Sequence, residues 1–342
     1  MLSKNNKVLP KLTIGYVTYN RKKIITNRIN SLLNTKIPSY LEIILIDDNS
    51  DDGTFKKIKS LTRGTKIKVF RNKKNFGFAD NFINVFRRSK GEYVLWASDK
   101  DGISFSGINN FLKWVVKKKV DAAVLNYSRH CKLKKEHIKN IRKNETRLVH
   151  YSELWKCSHG PGLAFKRIAV AKKIKEWNSF KKNYPILSNF YPNLFLILKL
   201  LPLGNCYFFN GEITFQAEYA KFSFFQYGKS SKRYGYLASR WDQHKNLIDF
   251  LENSSRQKKF KKYYNSMRHS LNLNLYSFIS RSIREERPNL YGYWWRASYL
   301  PHLIFKNIYT TTKFVIYYFI LEPSWILKRV KRRLNLILRK QY

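Results

Sequence analysis

The chain has 342 residues, 44% of them hydrophobic, with 67 Lys and Arg against 22 Asp and Glu and a formal net charge of +45. That apolar content supports a sizeable core and excludes wholesale disorder. The charge directs the protein toward polyanions, whether nucleic acid, acidic lipid or a phosphate-bearing substrate.

The first twenty residues have a basic start but neither a long apolar run nor a small-residue cleavage site, so no signal peptide is expected. Residues 12–17, LTIGYV, read as a buried strand. From Arg21 to Leu33 the apolar positions Ile24, Ile25, Ile29, Leu32 and Leu33 fall near helical spacing. A second strand, Glu42–Ile46, has a continuous apolar core, as a central parallel strand does. It ends in DDNSDDGT, where Asp51, Asp52 and Gly53 suit a turn and a helix N-cap. A helix over Thr54–Leu61, a strand over Ile67–Phe70, a helix reaching Arg88 and a strand over Tyr93–Ala97 follow. This alternation predicts an α/β fold with a doubly wound, mostly parallel sheet flanked by helices. Such sheets bind ligands at the carboxyl ends of their strands. The polar clusters at residues 18–20, 47–54 and 98–102 all lie there.

Four segments in order, VTYNR, EIILIDDNSDDGT, NFGFADN and GEYVLWASDKD, resemble the nucleotide-sugar domain of family 2 glycosyltransferases, which has the GT-A fold. The resemblance covers residues 12–102 and extends more loosely to about 225. It implies a transferase that moves a sugar from a nucleoside diphosphate sugar to a glycan acceptor. By the same resemblance, the donor contacts are Thr18, Tyr19, Asn20, Asp47, Asp48, Asn75, Gly77, Asn81, Ser98, Asp99 and Lys100. Tyr19 would stack on the base, Asp48 would hydrogen-bond it, and Asp47 would anchor the turn or the ribose. Where relatives often carry Arg before the last Asn of the third segment, this chain has Asp80.

The segment SDKD looks like the Asp-x-Asp element of this fold, which holds Mg²⁺ or Mn²⁺ against the diphosphate. Two models stand side by side. In one, Asp99 and Asp101 share the metal; in the other, the Lys100 ammonium supplies the positive charge and the metal is dispensable. The family's general base is an Asp about 90 residues further on. Here residues 184–201, YPILSNFYPNLFLILKLL, contain no carboxylate, and Asn193 stands where the Asp is expected. Glu212, Glu218 and His159 remain as weaker candidates for the base. SHGPGLAFKR resembles the acceptor-side loop and following strand that precede the base in relatives. Tyr191-Pro192 resembles the O-antigen and abequosyl-type branch. The likeness to bacterial transferases, which often act on lipid-carried glycans, implies a lipid-linked, lipopolysaccharide or capsule-type acceptor.

Beyond residue 225 the composition shifts to a Gly/Ser/Lys-rich linker and then to a helical, aromatic and basic region, so the expected domains are 1–225 and 226–342. The longest clean apolar run near the end, Phe314–Leu321, is too short to span a bilayer, which takes roughly 20 residues. The last segment places Leu327, Val330, Leu334 and Ile337 on one helix face. Trp325, Lys328, Arg329, Lys331, Arg332 and Arg333 surround that face as in a helix lying on an anionic membrane. A peripheral location on the inner face of the cytoplasmic membrane is expected. Three cysteines, Cys131, Cys157 and Cys206, form no CxxC pair, which suits a reducing compartment and argues against structural zinc. Two other readings compete: a catalytically impaired relative acting as a glycan-binding or scaffold protein, and a nucleic-acid-binding protein. The second has no recognisable motif.

Overall fold

The computed structural model describes residues 11–126, 162–203 and 205–216, together with 246, 247, 249, 250 and 253. All of these lie in the first of the two units into which the chain divides, Met1–Ile279 and Ser280–Tyr342. In chain order the described elements are β1 (Leu12–Thr18), α1 (Lys22–Leu33), β2 (Leu41–Asp47), α2 (Thr54–Leu61), β3 (Lys68–Arg71) and α3 (Gly77–Arg88). Next come β4 (Tyr93–Ser98), β5 (Asp101–Ile103), α4 (Phe105–Lys118), β6 (Ala122–Asn126) and β7 (Leu163–Lys166). The helices α5 (Arg167–Ile174), α6 (Trp177–Asn183), α7 (Pro185–Phe190) and α8 (Pro192–Leu200) precede β8 (Cys206–Glu212) and β9 (Thr214–Gln216).

Seven strands form one sheet in the order β3-β2-β1-β4-β7-β6-β8. β1 is parallel to β2 and β4, β2 to β3, and β6 to β8, whereas β7 is antiparallel to both β4 and β6. Two reversals cancel, so every strand except β7 points the same way and six carboxyl ends share one edge. The strands alternate as period two requires. Ile43 and Leu45 of β2 join the core with α1, α2 and α4, while Ile44 and Ile46 join the core with α3 and α5–α8. Both faces are covered, which is why β2 reads as an unbroken apolar run.

Packing of α3 on the sheet depends on Gly15. A Cβ there would sit 2.2 Å from Cγ1 of Val85, so only a missing side chain lets the helix approach β1 this closely. On α1, Leu33 is exposed, and Arg28 joins Ile25, Ile29 and Leu32 on the buried side. Pro185 and Pro192 open α7 and α8, where the missing N–H has no intrahelical partner to lose. β5 and β9 form a separate two-stranded antiparallel ribbon with Asp101 opposite Gln216.

Candidate active site

Loops after β1, β2 and β4 meet at the shared carboxyl edge. Asn20 adopts a left-handed φ of 49°, which Asn tolerates better than most residues. Its backbone N–H donates to Ser50 Oγ at 2.9 Å, and its Oδ1 accepts from the Asp51 N–H at 3.1 Å. The first and second loops are thereby tied together. Asp52 completes the junction by accepting from the N–H groups of Thr54 at 2.9 Å and Lys22 at 3.3 Å. Burial pushes the Asp52 carboxyl up, but the hydrogen bonds from Thr54 and Lys22 outweigh it and hold the group below its ordinary range.

Asp99 is the centre of the site and is only 1% exposed. Its Oδ1 accepts from Arg21 Nη1 at 2.9 Å and from Ser98 Oγ at 3.2 Å, and its Oδ2 accepts from Thr18 Oγ1 at 3.1 Å. A carboxylate takes about four hydrogen bonds, so one acceptor position is left on Oδ2. Asp101 is equally buried, and its Oδ2 accepts from the Ser98 N–H at 2.6 Å. The Lys100 N–H bonds Ser98 Oγ at 3.3 Å, which closes the turn that carries both acids.

Asp48 and the start of α3 form a second knot. Asp48 Oδ1 accepts from Asn72 Nδ2 at 2.8 Å and from the Phe76 N–H at 2.9 Å; Oδ2 accepts from the Gly77 N–H at 2.9 Å. Gly77, with φ +80°, starts the helix, so a carboxylate from the residue after β2 satisfies its first free N–H groups. Asn75 Oδ1 also reaches the Gly77 N–H at 2.9 Å. Asn81 is buried, donating to Gly77 O at 3.0 Å and accepting from Asn72 Nδ2 at 2.6 Å. Asp47 accepts from the Ser50 N–H at 3.1 Å through Oδ2, with Arg71 Nε at 3.5 Å. Its buried Oδ1 has no hydrogen-bond partner among the described residues. Tyr19 stands 42% exposed at the same edge.

Thr18, Ser98 and Asp99 are therefore in direct contact, and Asp48, Asn75, Gly77 and Asn81 form a neighbouring group. The sequence reading missed Arg21, Asn72 and Arg71. Arg21 stands inside the quoted VTYNR, and Asn72 directly follows a strand, which were the available signals. Asp80 turns away from Asp48 and toward α6, accepting from Trp177 Nε1 at 2.8 Å and Lys181 Nζ at 2.6 Å.

Asp99 and Asp101 are hard oxygen donors, the kind that Mg²⁺ or Mn²⁺ takes together with phosphate oxygens and water. The donor set fits such an ion through one or two carboxylates. No group of three His, Cys, Asp or Glu side chains able to cage a metal occurs among the described residues. Asn193 is the second residue of α8 and is buried. Glu212 ends β8 opposite Asn126, three strand places from β4, or about 14 Å at ~4.8 Å per strand. The chain then returns through β9 toward Asp101. His159, Glu218 and the basic terminal residues Trp325, Lys328, Arg329, Lys331, Arg332 and Arg333 lie outside the described residues. No described helix is long and apolar enough to cross a membrane.

Residues 13–172 match the family model described as Glycosyl transferase family 2. An uncharacterized glycosyltransferase of Mycoplasma genitalium is 32% identical over 123 residues, covering 34% of this chain and 41% of that protein. The GalNAc(5)-diNAcBac-PP-undecaprenol beta-1,3-glucosyltransferase of Campylobacter jejuni is 31% identical over 108 residues, covering 31% of this chain and 34% of that one. The matches thus span well under half the length of either relative. A mannosyltransferase from Pyrobaculum calidifontis, solved with GDP-Man and Mn²⁺, superposes with a TM-score of 0.51 at 16% identity over 88% of this chain and 81% of that one. At that identity the likeness establishes the shared fold.

Proposed function

We propose that the protein, whose residues 13–172 match the family 2 glycosyltransferase model, transfers a sugar from a nucleoside diphosphate sugar to a bacterial glycan acceptor carried on a lipid or polymer. The observation that carries this reading is the convergence of Thr18, Arg21 and Ser98 on the buried carboxylate of Asp99, at the end of a parallel strand. Ligands of parallel sheets bind at that edge.

In this reading Tyr19 lies against the base and the remaining acceptor position of Asp48 Oδ2 takes a base N–H. The remaining position of Asp99 Oδ2 takes a ribose hydroxyl. Asp99 and Asp101, carried on one turn, are the carboxylates proposed to hold the metal. Mg²⁺ or Mn²⁺ held there would supply positive charge to the leaving diphosphate. Lys100, next in the turn, could supply the same charge without the ion. The transfer is proposed to be inverting, with the base drawn from Glu212, Glu218 or His159. A buried Asn193 at the start of α8, a turn without acidic residues, also favours a second reading, a donor-binding relative that does not turn over. The 226–342 region is proposed to hold the protein at the anionic inner face of the membrane.

A thermal-shift screen of nucleoside diphosphate sugars, with and without Mn²⁺, tests the reading. At least one donor should stabilise the wild type, and Asp99→Ala should abolish that shift. Equal stabilisation of Asp99→Ala would remove Asp99 from the donor site. Binding without sugar transfer across a panel of lipid acceptors would select the second reading.

A further inference from the structure

Between α3 and α6 runs a groove of about 500 Å³ that includes neither Tyr19 nor Asp99 in its walls. It starts at the carboxyl end of β3 and continues along one face of α3. Arg71, Lys73, Arg87, Arg88 and Lys181 line it, and Asp80 is the one carboxylate in its lining. Asp80 is already engaged by Trp177 and Lys181. Arg87 is steadied by Asn84 Oδ1 at 3.3 Å, and Arg88 lies over the Phe70 ring at 4.5 Å. Neither these two arginines nor Lys73 has a carboxylate partner among the described residues. Cations gathered in a concave site repel one another, and an entering anion relieves that repulsion.

We propose that this groove binds a chain carrying two or more phosphate groups, the anionic part of the acceptor. The word acceptor rests on the glycosyltransferase reading; the phosphate chemistry does not. Asp80 and Arg88 are eight residues apart on α3, or about 12 Å at ~1.5 Å per residue, so one phosphate cannot reach both ends. Arg87 and Arg88 offer forked donors matched to phosphate oxygens, and Lys73 adds point charge, whereas Arg71 and Lys181 are already held by Asp47 and Asp80. The concave shape disfavours a flat lipid surface. The groove touches the donor region through Asn72, which lines it and bonds Asp48, on the side where the base is proposed to lie.

The test is titration of the full chain with inorganic tripolyphosphate, with orthophosphate and with phosphatidylglycerol vesicles. Lys73→Ala/Arg87→Ala removes two exposed cations from the groove. Lys117→Ala/Lys118→Ala removes the same charge from the end of α4 and controls for net charge. Tripolyphosphate should bind the wild type far more tightly than orthophosphate. The groove variant should lose at least ~10-fold in affinity, the control less than ~2-fold. Equal losses in both variants would overturn the proposal, as would vesicle binding that falls in the groove variant while tripolyphosphate binding does not. Unfolding midpoints verify that each variant is folded, and Lys73→Gln/Arg87→Gln repeats the test with longer polar side chains. Nucleotide-sugar shifts are read on the same samples. If no donor stabilises the wild type, the glycosyltransferase reading fails while the phosphate result stands.

Discussion

Arg21 Nη1 and Asp99 Oδ1 lie 2.9 Å apart, joining the turn after β1 to the end of β4, with the two side chains 30% and 1% exposed. Thr18 holds the other oxygen of the same carboxylate. The Asp99 side chain is thus fixed before any ligand arrives. Arg21→Ala should leave a buried carboxylate without this charge partner and lower stability by ~1–3 kcal/mol, the upper limit being reduced because Arg21 is partly exposed. Arg21→Lys should recover part of the loss, since an ammonium lacks the guanidinium fork. Urea unfolding midpoints decide the matter; an unchanged midpoint in Arg21→Ala would mean the pair is a surface contact of no consequence.

Asp80 makes the corresponding link between α3 and α6. Trp177 is fully buried, and its indole N–H has Asp80 Oδ1 as acceptor. Asp80→Ala should strand that donor and cost ~1–3 kcal/mol, whereas Asp80→Asn keeps an acceptor and should cost less. Lys181→Ala, at the exposed end of the same group, should cost below ~1 kcal/mol. Asp80→Arg should be the most damaging of the four because it removes the acceptor and faces Lys181 with a like charge. Thermal unfolding of the series gives the ranking, and a stable Asp80→Arg protein would contradict it.

These two contacts show where the sequence was legible. The strands of the parallel half, and the polar residues at their ends, follow from local patterns: apolar runs, then acids and amides. Thr18, Ser98 and Asp99 were named from the family resemblance that these segments carry, and Thr18 and Ser98 both bond Asp99. The insertion of β7 antiparallel between β4 and β6 depends on which edge a distant strand occupies, and the β5–β9 ribbon depends on residues more than a hundred positions apart. Neither has a local signal. The same holds for Asp80, whose partner Trp177 is 97 residues away. Asp48 was read as a donor contact, and nothing in its spacing revealed that the N–H groups of Phe76 and Gly77 occupy three-quarters of its acceptor capacity together with Asn72.

Gly15→Ala tests the packing that sets α3 on the sheet. The added methyl would meet Val85 Cγ1 at 2.2 Å, too close to be absorbed without moving the helix. Overpacking of this kind costs ~1–3 kcal/mol. Because α3 begins at the Asp48 knot, donor binding should weaken as well. Gly15→Ala/Val85→Ala should recover some of the stability, since the clash is with that side chain. A double-mutant cycle measures the coupling, and additive effects would place the strain elsewhere.

Glu42 governs acid stability at the opposite end of the strands. It is buried on β2, bonds Lys68 Nζ, and accepts from Thr13 Oγ1 at 2.6 Å and from the Lys90 N–H at 2.8 Å. Burial pushes its carboxyl up, but the bonds from Lys68, Thr13 and Lys90 outweigh burial and hold it below its ordinary value of 4.5. A group whose pKa is lower folded than unfolded stabilises the protein above the unfolded value. That contribution is complete above pH 4.5 and is lost as the pH falls through the lower folded value. Glu42→Gln should therefore reduce stability by ~1–3 kcal/mol at neutral pH. The difference from wild type should shrink as the pH falls from 4.5, where the unfolded carboxyl begins to take up a proton, through the lower folded value, where the native carboxyl is protonated too. Urea unfolding at neutral pH and in acid provides the comparison, and a gap that stays constant into acid would assign the Glu42 effect to shape and not to charge.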